Sequence, residues 1–259
     1  MRLAAATFAL IVTAMPGAAQ GFDPSHAAWT ALLERHVVVF DGGKASRVRY
    51  SGFARDRVAL DAYLGALAAV TRPQFERWPR AEQMAFLINT YNARMVQKVL
   101  TRYPSLRSVW DFGRFFGNPF KDDFFTLLGR RASLDDVEGL LREPGAYDDP
   151  RVHFALNCAS VGCPMLRPQA YVGAKLDSQL EDQARRFLTD RSRNRYDAAS
   201  GRLAVSRIFD WYERDWPPRY LERHAALLAD DRAARARIAA GGFELGYLDY
   251  DWTLNDAKE

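Results

Sequence analysis

A chain of 259 residues, 48% of them hydrophobic, is long and apolar enough for one large domain or two small ones with a buried core. Lys and Arg number 36 against 32 Asp and Glu, a formal net charge of +4. The arginines lie scattered among acids instead of striping one face, which argues against a nucleic-acid partner.

The first segment is set apart. Arg2 precedes an apolar stretch from Leu3 to Met15, followed by Pro16-Gly17-Ala18-Ala19-Gln20. A basic start, a short apolar run and a small-residue exit predict a signal peptide over 1–19, cut after Ala19. Thirteen helical residues reach only about 20 Å, short of the roughly 30 Å hydrocarbon core. The protein is therefore expected in the periplasm or secreted, with no membrane span once the signal is removed. No repeat, low-complexity tract or linker interrupts residues 20–259, so a single domain is expected there.

Helical spacing of Trp29, Leu32, Leu33 and His36 predicts a helix over 26–39, ended by Gly42-Gly43. A short strand is expected at Val48-Arg49-Tyr50. A second helix is expected over about 56–70, stopped by Pro73. The clearest pattern runs from about 80 to 102, with Met84, Leu87, Ile88, Tyr91, Met95 and Val99 on one face. Ser133-Leu134-Asp135-Asp136 reads as a helix start with a capping box, and that helix ends near Glu143-Pro144. A polar helix is expected over about 176–189, a strand at Leu203-Ala204-Val205, an Ala/Arg-rich helix over 219–240, and a last strand at Phe243–Tyr247. Five or six helices with scattered strands and no regular strand-helix alternation predict an α+β fold, helix-rich with a small, mostly antiparallel sheet.

Two places could carry chemistry. Asn89 and Asn92 lie one helical turn apart, about 100° and 40° around the helix from Ile88, at the border of its apolar stripe. Asn is a mediocre helix former. The pair either points amides into a pocket or hydrogen-bonds a neighbouring loop that would otherwise be unsatisfied. The second place is the stretch His153-Phe154-Ala155-Leu156-Asn157-Cys158-Ala159-Ser160-Val161-Gly162-Cys163-Pro164. A thiol near a His suggests a Cys158 nucleophile with His153 as base. The two meet only if the chain turns near Asn157. Arg151 and Arg167 flank the motif and would favour a thiolate. The competing reading is a disulfide between Cys158 and Cys163, which an oxidising compartment permits. Two Cys and one His match no zinc-ligand spacing, and no metal or cofactor is implied. Asp251 is a candidate for orienting a His, while His26, His36 and His224 read as structural.

Five motifs together resemble domain-of-unknown-function family 547. They are Ala85–Ala93, Ser133–Glu138, His153–Ser160 with Cys163-Pro164, Ser206–Tyr212 and Tyr250–Asn255, in the family's order across about 80–255. After the residue matching Glu138, family members commonly carry a His. This chain has Gly139, so a role for that His does not transfer. A more distant analogy is to papain-like and transglutaminase-like thiol enzymes, whose nucleophile starts a helix. Here the helix carries Asn89 and Asn92 instead. Two functions stay open: an exported thiol-dependent hydrolase or acyl transferase, with Cys158, His153, Asn89 and Asn92 as its site, or a non-catalytic envelope binding or structural domain stapled by Cys158–Cys163. The partner in either case is an unidentified small molecule, peptide or envelope component.

Overall fold

A computed structural model describes residues 21–113 and 117–258. The expected signal peptide over 1–19 lies outside the described residues. Helix α1 (Ala27–His36) buries Trp29, Leu32, Leu33 and His36, the four residues that define its stripe. It stops earlier than its spacing suggests. Val37–Phe40 forms strand β1, which pairs antiparallel with β2 (Ala45–Val48). Three successive valines favour an extended chain. Gly42 and Gly43, both at positive φ, close a hairpin there instead of ending a helix. Tyr50, expected in a strand, instead opens helix α2 (Tyr50–Arg55). Helix α3 (Arg57–Ala69) follows, then α4 (Arg72–Phe75), which carries Pro73 in its first turn behind a Thr71–Gln74 capping box.

Helix α5 (Arg80–Leu100) is the axis of the larger core. Every residue from Met84 to Val96 is buried, not only one stripe. A helix enclosed on all sides must find partners for its polar side chains as well as its apolar ones. A hairpin of β3 (Phe125–Leu127) and β4 (Arg130–Ala132) leads into α6 (Leu134–Arg142), which packs along α5. The capping box of α6 forms as the sequence predicts. Asp136 N–H donates to Ser133 Oγ at 3.1 Å, and Ser133 N–H donates back to Asp136 Oδ2 at 2.7 Å.

Beyond helix α7 (Leu176–Leu188) the chain builds a second core around Phe154, Phe187, Phe209 and Leu228. Strands β5 (Arg195–Asp197), β6 (Arg202–Val205) and β7 (Glu244–Tyr247) pair in that order, β5 with β6 antiparallel and β6 with β7 parallel. Helix α8 (Ile208–Trp211) follows β6. The single helix expected over 219–240 is divided into α9 (Tyr220–Arg223), α10 (Ala225–Leu228) and α11 (Arg232–Ala239). Ala229 is extended there, and the Asp231 side chain caps a new helix by accepting from Ala234 N–H at 2.8 Å. The fold is α+β and helix-rich. Its strands form three small sheets in place of one, two of them antiparallel hairpins. Among the described residues no helix is long and apolar enough to cross a membrane.

The C-terminal stretch after β7 runs back across the molecule. Leu254 N–H donates to Arg107 O, Asn255 N–H to Ala159 O, and Val48 N–H to Asn255 O. It thereby ties the first hairpin to the segment that carries both cysteines.

Candidate functional site

The two asparagines of α5 fasten passing backbone. Asn89 Nδ2 donates to Tyr171 O at 2.7 Å, and its Oδ1 accepts from Tyr171 N–H at 3.0 Å. Asn92 Nδ2 donates to Ala155 O at 3.0 Å, and its Oδ1 accepts from Asn157 N–H at 2.9 Å. Each amide thus offers one donor and one acceptor, as a neighbouring strand would. Asn92 in this way holds the segment 155–157 against the helix.

The cysteine segment starts from a short 3₁₀ turn, Pro150–Phe154, capped by Asp149. The chain then reverses around Asn157, with Ala159 in the left-handed region at φ 64. Asn157 stabilises the reversal. Its Nδ2 donates to Pro164 O at 2.8 Å, and its Oδ1 accepts from Ala159 N–H at 3.0 Å. Cys158 and Cys163 are joined by a disulfide, their Cα atoms 6.1 Å apart. The Tyr250 hydroxyl lies 3.4 Å from Cys158 Sγ and 3.3 Å from Cys163 Sγ. Arg193 donates to Val161 O at 2.7 Å and Cys163 O at 2.9 Å. The flanking arginines have acids of their own: Arg151 pairs with Asp149 and Asp177, and Arg167 with Asp182.

His153 is buried, with Nε2 2.8 Å from Asp215 Oδ2 and its ring stacked on Tyr212 at 3.9 Å. Burial pushes its pKa down to about 4, outweighing the attraction of Asp215. The ring is neutral at pH 7, and Nε2–H donates to the carboxylate. Burial alone would raise Asp215, but the hydrogen bonds from Arg142 and His153 hold its carboxyl below the usual range. Arg142 reaches Asp215 at 2.5 Å and Glu138 at 3.3 Å. Burial pushes Glu138 up against the opposing pull of the Tyr212 hydroxyl and Arg142. The acid that orients His153 is therefore Asp215. Asp251 instead accepts from Thr253 N–H at 2.9 Å within its own turn. Asp215 stands three residues beyond the Ser206–Tyr212 motif, and no spacing in the sequence links it to His153.

His153, Glu138, Tyr212 and the two cysteines border a cavity of about 380 Å³. One wall is aromatic: Trp252 lies 5.2 Å from Trp110, 5.5 Å from Trp211 and 4.5 Å from Tyr250, between ring centres. Phe120, Tyr91 and Tyr212 extend it. Asp135, Glu138 and His153 supply polar groups, and both cysteines lie in the wall. So the structure brings His153, Cys158 and Cys163 to one cavity. Asn89 and Asn92 are not among its lining residues. Trp211, Tyr212, Tyr250 and Trp252 stand in the Ser206–Tyr212 and Tyr250–Asn255 motifs and Tyr91 in Ala85–Ala93, but Trp110 and Phe120 lie in none of the five, and nothing local marked these rings as one wall.

Residues 75–188 match the family described as protein of unknown function, DUF547. Over that stretch the chain is similar to the family. The DUF547 match takes in α5, α6, the disulfide and α7. Trp211, Asp215, Tyr250 and Trp252 lie outside it. Gly139 is exposed on α6, and a side chain added there would meet open space. No curated protein and no solved structure matches the chain.

Proposed function

We propose that this protein is an exported binding domain that takes a small ligand in its aromatic cavity, with the disulfide as a staple in the wall. The observation that carries this reading is the state of the two reactive groups beside the cavity. The sulfur of Cys158 is bonded to Cys163, and the neutral His153 ring donates to Asp215. What remains to meet a ligand is a set of aromatic faces and carboxylates, the composition of a recognition site. The short apolar N-terminal run and the disulfide support a periplasmic or secreted location.

Thiol-dependent hydrolysis or acyl transfer is a second reading, favoured by one observation. Cys158 is half-buried and lines the same cavity as His153, so reduction would put a thiol near an imidazole. Alkylation of the folded protein, read by intact mass, separates the two. The binding reading expects no label until a reductant is added. Rapid labelling of Cys158 without reductant, slowed by His153→Ala, would overturn it in favour of the enzyme.

A further inference from the structure

We infer that the cavity recognises an alkylammonium group, held against the faces of Trp211, Tyr250 and Trp252 with Asp135 and Glu138 as counter-charges. This rests on the binding reading and names its ligand class.

Three observations converge. First, Trp110, Trp211 and Tyr250 form a continuous wall with Trp252, each ring centre within 5.5 Å of its own. The face of an aromatic ring carries partial negative charge and attracts cations, Trp most strongly. Second, the charged side chains that line the space have one sign. Asp135 and Glu138 face it, and among the described residues no Lys or Arg does. Arg142 is drawn to Asp215 by two hydrogen bonds and lies over the Tyr212 ring at 4.7 Å, while Arg193 is held by Asp190 and by the carbonyls of Val161 and Cys163. Among the described residues the charged side chains in the lining are therefore acidic, and the neutral His153 ring adds no charge.

Third, carboxylates only accept hydrogen bonds, and an ammonium only donates them. A carboxylate or phosphate ligand would bring acceptors to acceptors and leave charge desolvated without a partner. A quaternary or primary ammonium on a short alkyl chain meets both requirements, with its carbons on the rings and its charge near the acids. The volume of about 380 Å³ suits such a group.

The test is calorimetric titration of the oxidised full chain with matched probes. Choline is compared with 3,3-dimethyl-1-butanol, which has its shape without its charge, and butylammonium with pentanol. N-acetylglucosamine serves as a neutral sugar. At least one cation should bind about tenfold tighter than its neutral counterpart, a gap within the range of desolvated cation–aromatic contacts. Trp211→Ala and Asp135→Asn should each weaken that binding about fivefold or more. Trp211 is 45% exposed, so its removal should leave the thermal midpoint in place. A neutral isostere or the sugar binding as tightly as the cations would overturn the ammonium assignment and leave the cavity as a binding site. Failure of both cations to bind would also overturn the assignment. Failure of the underlying reading has a different signature, the reductant-free labelling of Cys158.

Discussion

At Asn92 a single amide joins the central helix to the segment that carries the disulfide. Replacing it with Leu would remove the partners of two buried backbone groups, Asn157 N–H and Ala155 O. Each group left unpaired costs roughly 1–3 kcal/mol. Asn92→Leu is therefore expected to lower the thermal midpoint by several degrees, although it adds apolar surface in a buried place. A midpoint equal to wild type in a calorimetric scan would show that the amide contributes no net stability. That the two asparagines border the apolar stripe was legible from helical arithmetic. What they bind was not, because their backbone partners stand 63 to 82 residues further along the chain. His153 shows the same boundary. Its place beside the cysteine segment was apparent from the sequence, but its acid, 62 residues away, was not.

Among the elements, the terminal stretch from Thr253 to Ala257 does the work of a clasp. Its backbone bonds to Arg107, Val48, Ala159 and Val161, and the Asn255 side chain sits between Tyr50 and Asn157. A chain ending at Trp252 should still fold around α5 but lose this hold on the cysteine segment. Hydrogen exchange is expected to speed up at the amides of 159–163 and at Val48, with α11 unchanged. Unaltered protection at 159–163 would mean that Asn92 and Arg193 suffice without the clasp. The element pattern also shows where sequence reading succeeds. Helices α3 and α5 were visible because each repeats its apolar residues at helical spacing over two or more turns, and α6 because a capping box marks its start. The first helix was overextended because Val37–Val39 continues the apolar run past the point where branched side chains and Gly42-Gly43 favour a hairpin. The Ala/Arg-rich segment 219–240 was read as continuous because alanine propensity hides the breaks at His224 and Ala229.

For the molecule as a whole, acid sensitivity follows from two buried imidazoles. Burial pushes both His26 and His153 down to about 4. An unfolded chain holds these rings near their ordinary value of about 6.5. As pH falls below that value the unfolded state takes up protons that the folded state refuses, so stability is full above it and declines toward pH 4. Each ring accounts for a loss of at most about 3 kcal/mol across that window. Glu138 opposes the trend, because burial raises its pKa and protonation relieves a cost of folding. Urea midpoints at pH 7.5, 6 and 5 should fall in that order. Replacing His26 and His153 together with Gln should flatten the dependence even if it lowers all three midpoints. An equally steep profile in the double variant would place the acid sensitivity elsewhere.

The cavity wall is drawn from α5, from Trp110, Asn118 and Phe120, and from α6, the cysteine segment, α8 and the residues after β7. Each contributor is anchored in the core by other side chains of its own element, while Trp110 and Trp211 stand 41% and 45% exposed at the surface. On the proposed binding reading, exchanging these outer rings would alter what the cavity grips without disturbing what holds the molecule together. The scaffold and the ligand preference would then be separable, one ring at a time.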